Sequence, residues 1–320
     1  MATRRALILG ISGQDGSYLA NLLLDLGYIV IGCTRDASRT KPTNLDALRI
    51  RDRVELRTAE LDTVDDVSRL LESTQPDEIY NLSGQTSVAQ SFAHPRATIN
   101  SFVCPTLNIL ESIRLLGVRT RYFNACSSEC FGDSDEPATE DTPIRPLSPY
   151  AAAKAASLHF VTTYRQCFGI FACSGFLFNH ESPLRPAHFV TTKIVDAACR
   201  IAAGERLTLQ LGNLNVWRDW GWAPEYVAVM HRILQQPDPE DFVIATGESH
   251  SLETFVRLVF ATKGLNYVDH TTHSVDCLRP TEIQISRANP TKARRMLNWK
   301  AVHLLPSVVT QLVDSYECPQ

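Results

Sequence analysis

Four side chains near the middle of the chain carry acid–base potential: the hydroxyl of Ser127, the carboxylate of Glu129, the phenol of Tyr150 and the ammonium of Lys154. Tyr150 and Lys154 are four residues apart, which places them on one face of a helix. A free phenol, with a pKa of about 10, is nearly inert as a base near neutrality. A neighbouring ammonium favours the phenolate, so the pair predicts a Tyr150 lowered enough to take a proton from a hydroxyl. Alternation along a strand puts Ser127 and Glu129 on one side and Cys126, Ser128 and Cys130 on the other. Taking the proton from an alcohol needs only the hydroxyl, the phenol and the ammonium. Loss of water beside the new carbonyl needs a further base, and Glu129 has the right chemistry for it.

The elements that must position these groups read as alternating strands and helices. A short apolar strand, Ala6 to Gly10, runs into Gly10-Ile11-Ser12-Gly13-Gln14-Asp15-Gly16 and then a helix from Ser17 to Gly27. Glycines in such a turn let backbone approach a pyrophosphate, which then faces a helix N-terminus. The second strand, Tyr28 to Cys33, ends at Thr34-Arg35-Asp36. Arg35, with Ser38 and Arg39 behind it, suits the 2′-phosphate of NADP, whereas Asp36 suits NAD. A third strand, Val54 to Leu61, brings Glu60 and Leu61 to an adenine site. A fourth, Asp77 to Ser83, leads through Leu82, Ser83, Gly84, Gln85, Thr86 and Ser87 to the edge of the nicotinamide ribose. A helix through Thr106 to Leu116 and a strand from Arg121 to Ser128 complete an α/β pattern. Its expected form is a Rossmann-type doubly wound parallel sheet with helices on both faces.

The second half predicts a smaller mixed α/β lobe. It opens with a strand from Phe171 to Phe178, a polar loop from Asn179 to Arg185, a helix from Val190 to Ala203 and a strand from Leu207 to Leu211. The helix Pro224 to Gln235 and strand Asp241 to Ala245 return to the large sheet. Three more helices follow, Ser251 to Gly264 (headed by a capping serine), Asn289 to Trp299 and Pro306 to Tyr316. The expected division is a cofactor-binding unit over 1–178, completed by about 214–248, and a substrate lobe over 179–320.

Composition narrows the function. A net charge of −4 over 320 residues offers no footprint for nucleic acid or an anionic membrane. The opening MATRRALILGISG leads directly into a strand, and no run approaches the ~20 apolar residues of a membrane span, so a cytoplasmic enzyme is expected. Nine cysteines without a Cys-x-x-Cys pair read as reduced thiols, and Cys126 with Cys130 lacks the further ligands of a metal site.

Tyr and Lys four apart behind a dinucleotide turn mark the short-chain dehydrogenase/reductase superfamily. Nearly end to end the chain resembles the GDP-mannose 4,6-dehydratases, an extended branch of it. The resemblance rests on Gly10 to Leu19, Ser127-Ser128-Glu129, Ser148-Pro149-Tyr150, Phe178-Asn179-His180-Glu181-Ser182-Pro183, Arg218-Asp219-Trp220-Gly221 and Asp241 to Gly247. It implies that Tyr150, poised by Lys154 and joined by Ser127, removes the sugar O4 proton while hydride passes from C4 to NADP. Glu129 then takes the C5 proton and protonates the C6 hydroxyl as it leaves, after which hydride returns to C6 and a proton to C5. The resemblance also places His180 and Arg185 on the cofactor. Ser87, Asn179, Lys193, Leu211, Gly212, Asn213, Arg218, Arg279 and Glu282 fall on a GDP-linked sugar, with the arginines at the diphosphate. Relatives reach a neighbouring subunit through the loop corresponding to Arg35–Asn44, which implies a homodimer or homotetramer. The chain departs from the family pattern at Ser127 (threonine is usual), Asp36 (arginine), Glu60 (aspartate), Pro105 (glycine) and Trp222, and in a short segment from His270 to Leu278.

Overall fold

The computed structural model describes residues 3–35, 43–134 and 136–317. Asp36, Ser38 and Arg39, and most of the loop expected to reach a second subunit, lie outside the described residues. Strand β1 (Arg5–Leu9) is apolar and buried, and helix α1 (Gln14–Asp25) follows after a four-residue turn. The helix starts three residues earlier than the sequence pattern suggests, because Gly13 at φ −74°, ψ 171° already serves as its N-cap. Next come β2 (Ile29–Thr34), α2 (Thr43–Ala47), β3 (Glu55–Thr58), α3 (Val64–Thr74) and β4 (Glu78–Asn81). Helices α4 (Val88–Ala93) and α5 (Pro95–Leu116) lead to β5 (Arg121–Ser127), α6 (Pro149–Phe168) and β6 (Ala172–Leu177).

These strands and a later one form a seven-stranded sheet whose paired strands are all parallel. In spatial order from one edge the first six are β3, β2, β1, β4, β5 and β6. From β1 the chain winds outward to β2 and β3, then crosses back to β4 and on in the other direction. Ligands of such sheets collect beyond the strand C-termini at this reversal. Parallel strands covered on both faces need apolar residues on both, and Leu7, Ile8 and Leu9 are all buried. Phe123, Tyr80 and Ala6 pack toward one face, while Leu7, Ile79 and Tyr122 pack toward the other with Val67 of α3, Ile109 of α5 and Val161 of α6.

Beyond β6 the stretch Asn179–Arg185 is not wholly a loop. Asn179–Glu181 forms β7, paired in parallel with a later strand. A three-residue polar strand has no periodicity of its own, so its neighbour alone confers the conformation. Helix α7 (Val190–Ala202) and β8 (Leu209–Leu211) precede β9 (Trp217–Trp222), the partner of β7 with Asn179 opposite Trp220. Helix α8 (Ala223–Leu234) packs on α1, and β10 (Phe242–Ile244) pairs with β6 as the seventh strand of the large sheet. Strand β11 (Ser249–Ser251) pairs with β9, and Ser251 caps α9 (Leu252–Thr262) by accepting the Thr254 N–H. Strand β12 (Thr271–His273) pairs with β8, and helices α10 (Thr291–Met296) and α11 (Leu305–Glu317) end the chain. Ile194, Trp220, Phe255, Val259 and Val308 close a separate apolar cluster here. No helix among the described residues is long and apolar enough to cross a membrane.

Candidate active site

A cleft of about 480 Å³ opens beyond the C-terminal ends of β4, β5 and β6. It is lined by Ser127, Glu129, Tyr150 and Lys154, by Asp15, Leu82, Thr86 and Ser87, and by Asn179, His180 and Arg185. Lys193, Leu211, Gly212, Asn213, Arg218, Arg279 and Glu282 form the opposite wall. A slightly larger cavity, about 510 Å³, lies at the other end of the strands beside Arg4, Asp77 and Arg121 and contains none of the predicted residues. Its Arg121 is already bonded to the carbonyls of Leu234 and Gln236.

Tyr150 owes its position to the start of α6. Ser148 accepts the Ala151 N–H through its side chain at 3.1 Å, and Pro149 supplies the preset φ of a first helical residue. Two thiols hold the helix against β5: Cys130 Sγ lies 3.7 Å from the Ala151 carbonyl and Cys126 Sγ 4.0 Å from that of Lys154. The two sulfurs are 3.6 Å apart. Lys154 Nζ donates to the Ala125 carbonyl at 2.7 Å. Burial pushes this lysine down to about 8.

The phenol does not behave as the sequence suggests. Burial drives Tyr150 up, outweighing the Ser127 hydroxyl that pulls it down, and the charge of Glu129 adds to the rise. Burial, which disfavours the phenolate, overrides the lowering expected from Lys154, whose ammonium sits 5.9 Å from the Tyr150 ring centroid.

Glu129 reaches the cleft by a different route from strand alternation. The strand ends at Ser127, and Ser128–Phe131 turn as a 3₁₀ helix in which Ser127 Oγ accepts the Glu129 N–H at 3.2 Å. The turn, not the pleat, swings the carboxylate inward. Burial raises Glu129, while Arg218 and Arg279 oppose the rise. Those arginines share a carboxylate oxygen of Glu282, each at 3.3 Å. Arg218 is further anchored by the Trp217 and Ile283 carbonyls at 2.9 and 2.8 Å.

The turn after β1 is tied to β7. His180 Nδ1 lies 2.7 Å from the Phe178 carbonyl, and Nε2 lies 2.9 and 3.0 Å from the Asp15 oxygens. Both ring nitrogens face acceptors, an arrangement that favours the protonated ring, and the Asp15 carboxylate raises the imidazole against burial. Ser182 Oγ donates to Gln14 Oε1 at 2.8 Å alongside. Arg185 is engaged within its own segment, on the His180 carbonyl at 3.2 Å and beside Glu181 at 3.2 Å.

Other predicted residues stand apart from the cleft lining. Gly10, Ser12 and Gly13 form the turn beyond β1, Gln14 and Gly16 open α1, and Arg35 and Glu60 are exposed after β2 and β3. Leu61 packs beneath the α3–α5 face, and Ser83 bonds back to Asn81 at 2.7 Å. Gly84, at φ +116°, lies against Phe102, while Gln85 turns back to the Ser87 carbonyl at 2.8 Å. Sequence reasoning missed Glu181 and Thr191, which line the cleft and bond to each other at 2.7 Å. Glu181 stood inside a quoted motif without a role. Thr191 had no local signal.

Solved structures share this fold. Among them, the dTDP-glucose 4,6-dehydratase of Bacillus anthracis, solved in complex with NAD, matches 98% of this chain and 97% of its own with a TM-score of 0.86 at 16% identity. Sequence carries the comparison further. The family model described as GDP-mannose 4,6 dehydratase matches residues 7–312. GDP-mannose 4,6 dehydratase 1 of Arabidopsis thaliana is 40% identical, over 97% of this chain and 88% of its own. GDP-mannose 4,6-dehydratase of Sinorhizobium fredii is 42% identical, over 92% and 91%. The chain belongs to the GDP-mannose 4,6-dehydratase family.

Proposed function

We propose that this protein is an NADP-dependent GDP-mannose 4,6-dehydratase, a hydro-lyase converting GDP-D-mannose to GDP-4-dehydro-6-deoxy-D-mannose and water. One observation supports it above others: Glu129, a carboxyl raised by burial, lines one cleft with Ser127, Tyr150 and Lys154.

The residues present fit a dinucleotide. A Cβ on Gly10, at φ +85°, would lie 2.6 Å from the Leu82 carbonyl oxygen, and one on Gly16 would lie 2.2 Å from that of Gly10. No side chain caps α1, so its first-turn amides are available to an anion. Gly10, Ser12, Gly13, Gln14, Asp15 and Gly16 would hold the pyrophosphate and Arg35 a 2′-phosphate. Glu60 and Leu61 would face adenine, and the Leu82–Thr86 stretch with His180 and Arg185 would border the nicotinamide half. When bound, the cofactor accepts hydride from sugar C4 and returns it at C6, so none is consumed.

The chain's own groups manage the protons. Tyr150 as its phenolate, offset by the Lys154 ammonium and with Ser127 on the same oxygen, takes the O4 proton and becomes the neutral phenol. The C4 ketone acidifies C5, whose proton passes to Glu129. A carboxyl raised by burial is suited both to accept that proton and to deliver one to the departing C6 hydroxyl, and the proton taken from O4 balances the one C5 regains as hydride returns to C6. Arg218 and Arg279 would exchange Glu282 for the diphosphate, where forked donors fit well. Ser87, Asn179, Lys193, Leu211, Gly212 and Asn213 would hold the rest of the sugar nucleotide, and Glu282 would face the nucleoside. This reading assigns 1–178 with about 214–248 to the cofactor and the remainder of 179–320 to substrate, in a cytoplasmic homodimer or homotetramer.

Purified protein given GDP-mannose and catalytic NADP should yield a product lighter by one water, by mass spectrometry, with no net change in NADPH absorbance. Stoichiometric NADPH consumption with a keto-sugar would replace this reading with a reductase. NADP should also raise the melting temperature more than NAD at equal concentration, and the reverse order would move the cofactor assignment to NAD.

A further inference from the structure

Phe102 of α5 is buried, and among the described residues it is not part of the cleft lining. Its ring nevertheless touches both members of the helical pair. Lys154 Nζ stands 4.0 Å from the ring centroid, and Tyr150 meets the same ring edge to face at a centroid distance of 5.5 Å. The ammonium has three N–H donors, and among the described residues the Ala125 carbonyl is its one hydrogen-bond acceptor. The electron-rich face of Phe102 lies on another side of the charge, well inside the ~6 Å at which a ring attracts a cation. The ring has this place because residue 84 is glycine: a Cβ there would lie 2.1 Å from Phe102 Cε1.

We propose that Phe102 is a positioning residue for the reaction, whose ring face holds the Lys154 ammonium and whose packing fixes the Tyr150 phenol beside it. The inference rests on the dehydratase reading for what Lys154 and Tyr150 do, but the contact itself is a property of the chain without ligand. Other titratable groups facing Lys154 are the thiols of Cys126 and Cys130, the Asp15 carboxylate and the Tyr150 phenol. The Asp15 carboxylate holds its proton on against burial, as the ring does.

Its test is a titration of the ligand-free protein. Lysine labelled with ¹³C at Cε reports the protonation of Lys154 by NMR, with the signal assigned by its absence from Lys154→Met. Phe102→Leu removes the ring face, so the amine should lose its proton at lower pH, by about one unit. Mono-, di- and trifluorophenylalanine at position 102 keep the shape and progressively weaken the ring face, so the midpoint should fall stepwise along the series. Should Phe102→Leu fail to fold, the fluorinated chains decide. A trifluorinated chain titrating with the wild type overturns the proposal, whatever happens to the melting temperature. Absence of water loss from GDP-mannose would overturn the dehydratase reading and leave this titration unaffected.

Discussion

Glu129 is the residue on which dehydration, as distinct from oxidation, turns. Glu129→Gln keeps the shape and removes the base, so overall turnover should drop by roughly 10²–10⁴-fold. Oxidation at C4 should survive as transient NADPH absorbance. Turnover at the wild-type rate would remove Glu129 from the mechanism. The pKa of the same carboxyl is raised by burial, so its protonated form persists to higher pH than in a free glutamate. Where Glu129 must act as a base, the acid limb of the kcat/KM profile should therefore lie above the ordinary carboxylate range of about 4.3. A limb at or below that value would show that Arg218 and Arg279 outweigh burial in the free enzyme.

The first turn of α6 and the 3₁₀ turn after β5 deliver the phenol and the carboxylate. Ser148 is the device that starts α6 one residue before Pro149 and two before Tyr150. Ser148→Ala should cost about 1 kcal/mol in urea unfolding, the usual price of a lost cap, and should lower kcat because Tyr150 stands in the loosened turn. Unchanged stability would mean that the two cysteine contacts and Pro149 suffice to hold the helix start. The 3₁₀ turn teaches a related lesson. Strand alternation correctly sent Ser127 and Glu129 to the same cleft, but for the wrong geometric reason: the strand had already ended.

Across the molecule, the Asp15–His180 pair ties the turn beyond β1 to the β7–β9 sheet. Burial alone would lower His180, but Asp15 overrides it and the imidazole is raised above its usual 6.5. Burial would raise Asp15, but His180 overrides it and the carboxyl falls below its usual 3.8. The sign follows for each. A raised histidine stabilises fully below 6.5, and its contribution is lost as pH rises through the folded value. A lowered aspartate stabilises above 3.8, and its contribution is lost as pH falls through the folded value. The pair should thus contribute most between about 4 and 6.5 and least well above that window. His180→Gln should cost roughly 3 kcal/mol near pH 5.5, with a smaller deficit in alkaline solution, by chemical denaturation. A deficit independent of pH would mean that the ring acts through its stack on Tyr226, at 4.6 Å between centroids, and not through its charge.

Local chemistry was legible in the chain alone. A glycine turn between an apolar strand and a helix, a Tyr–Lys pair at one helical turn and a capping serine at Ser251 each act through neighbours within a few residues. Their conformations follow from sterics that are the same in any protein. The parallel sheet was legible too, because continuous apolar strands separated by amphipathic helices have few other ways to bury themselves. Only the tertiary structure decided what depends on groups far apart in sequence: that Asn179–Glu181 is a strand, that Tyr150 is raised and not lowered, and that Phe102 of α5 faces Lys154 of α6. Burial and charge at a site are sums over everything packed around it. A sequence lists those contributors without saying which of them meet.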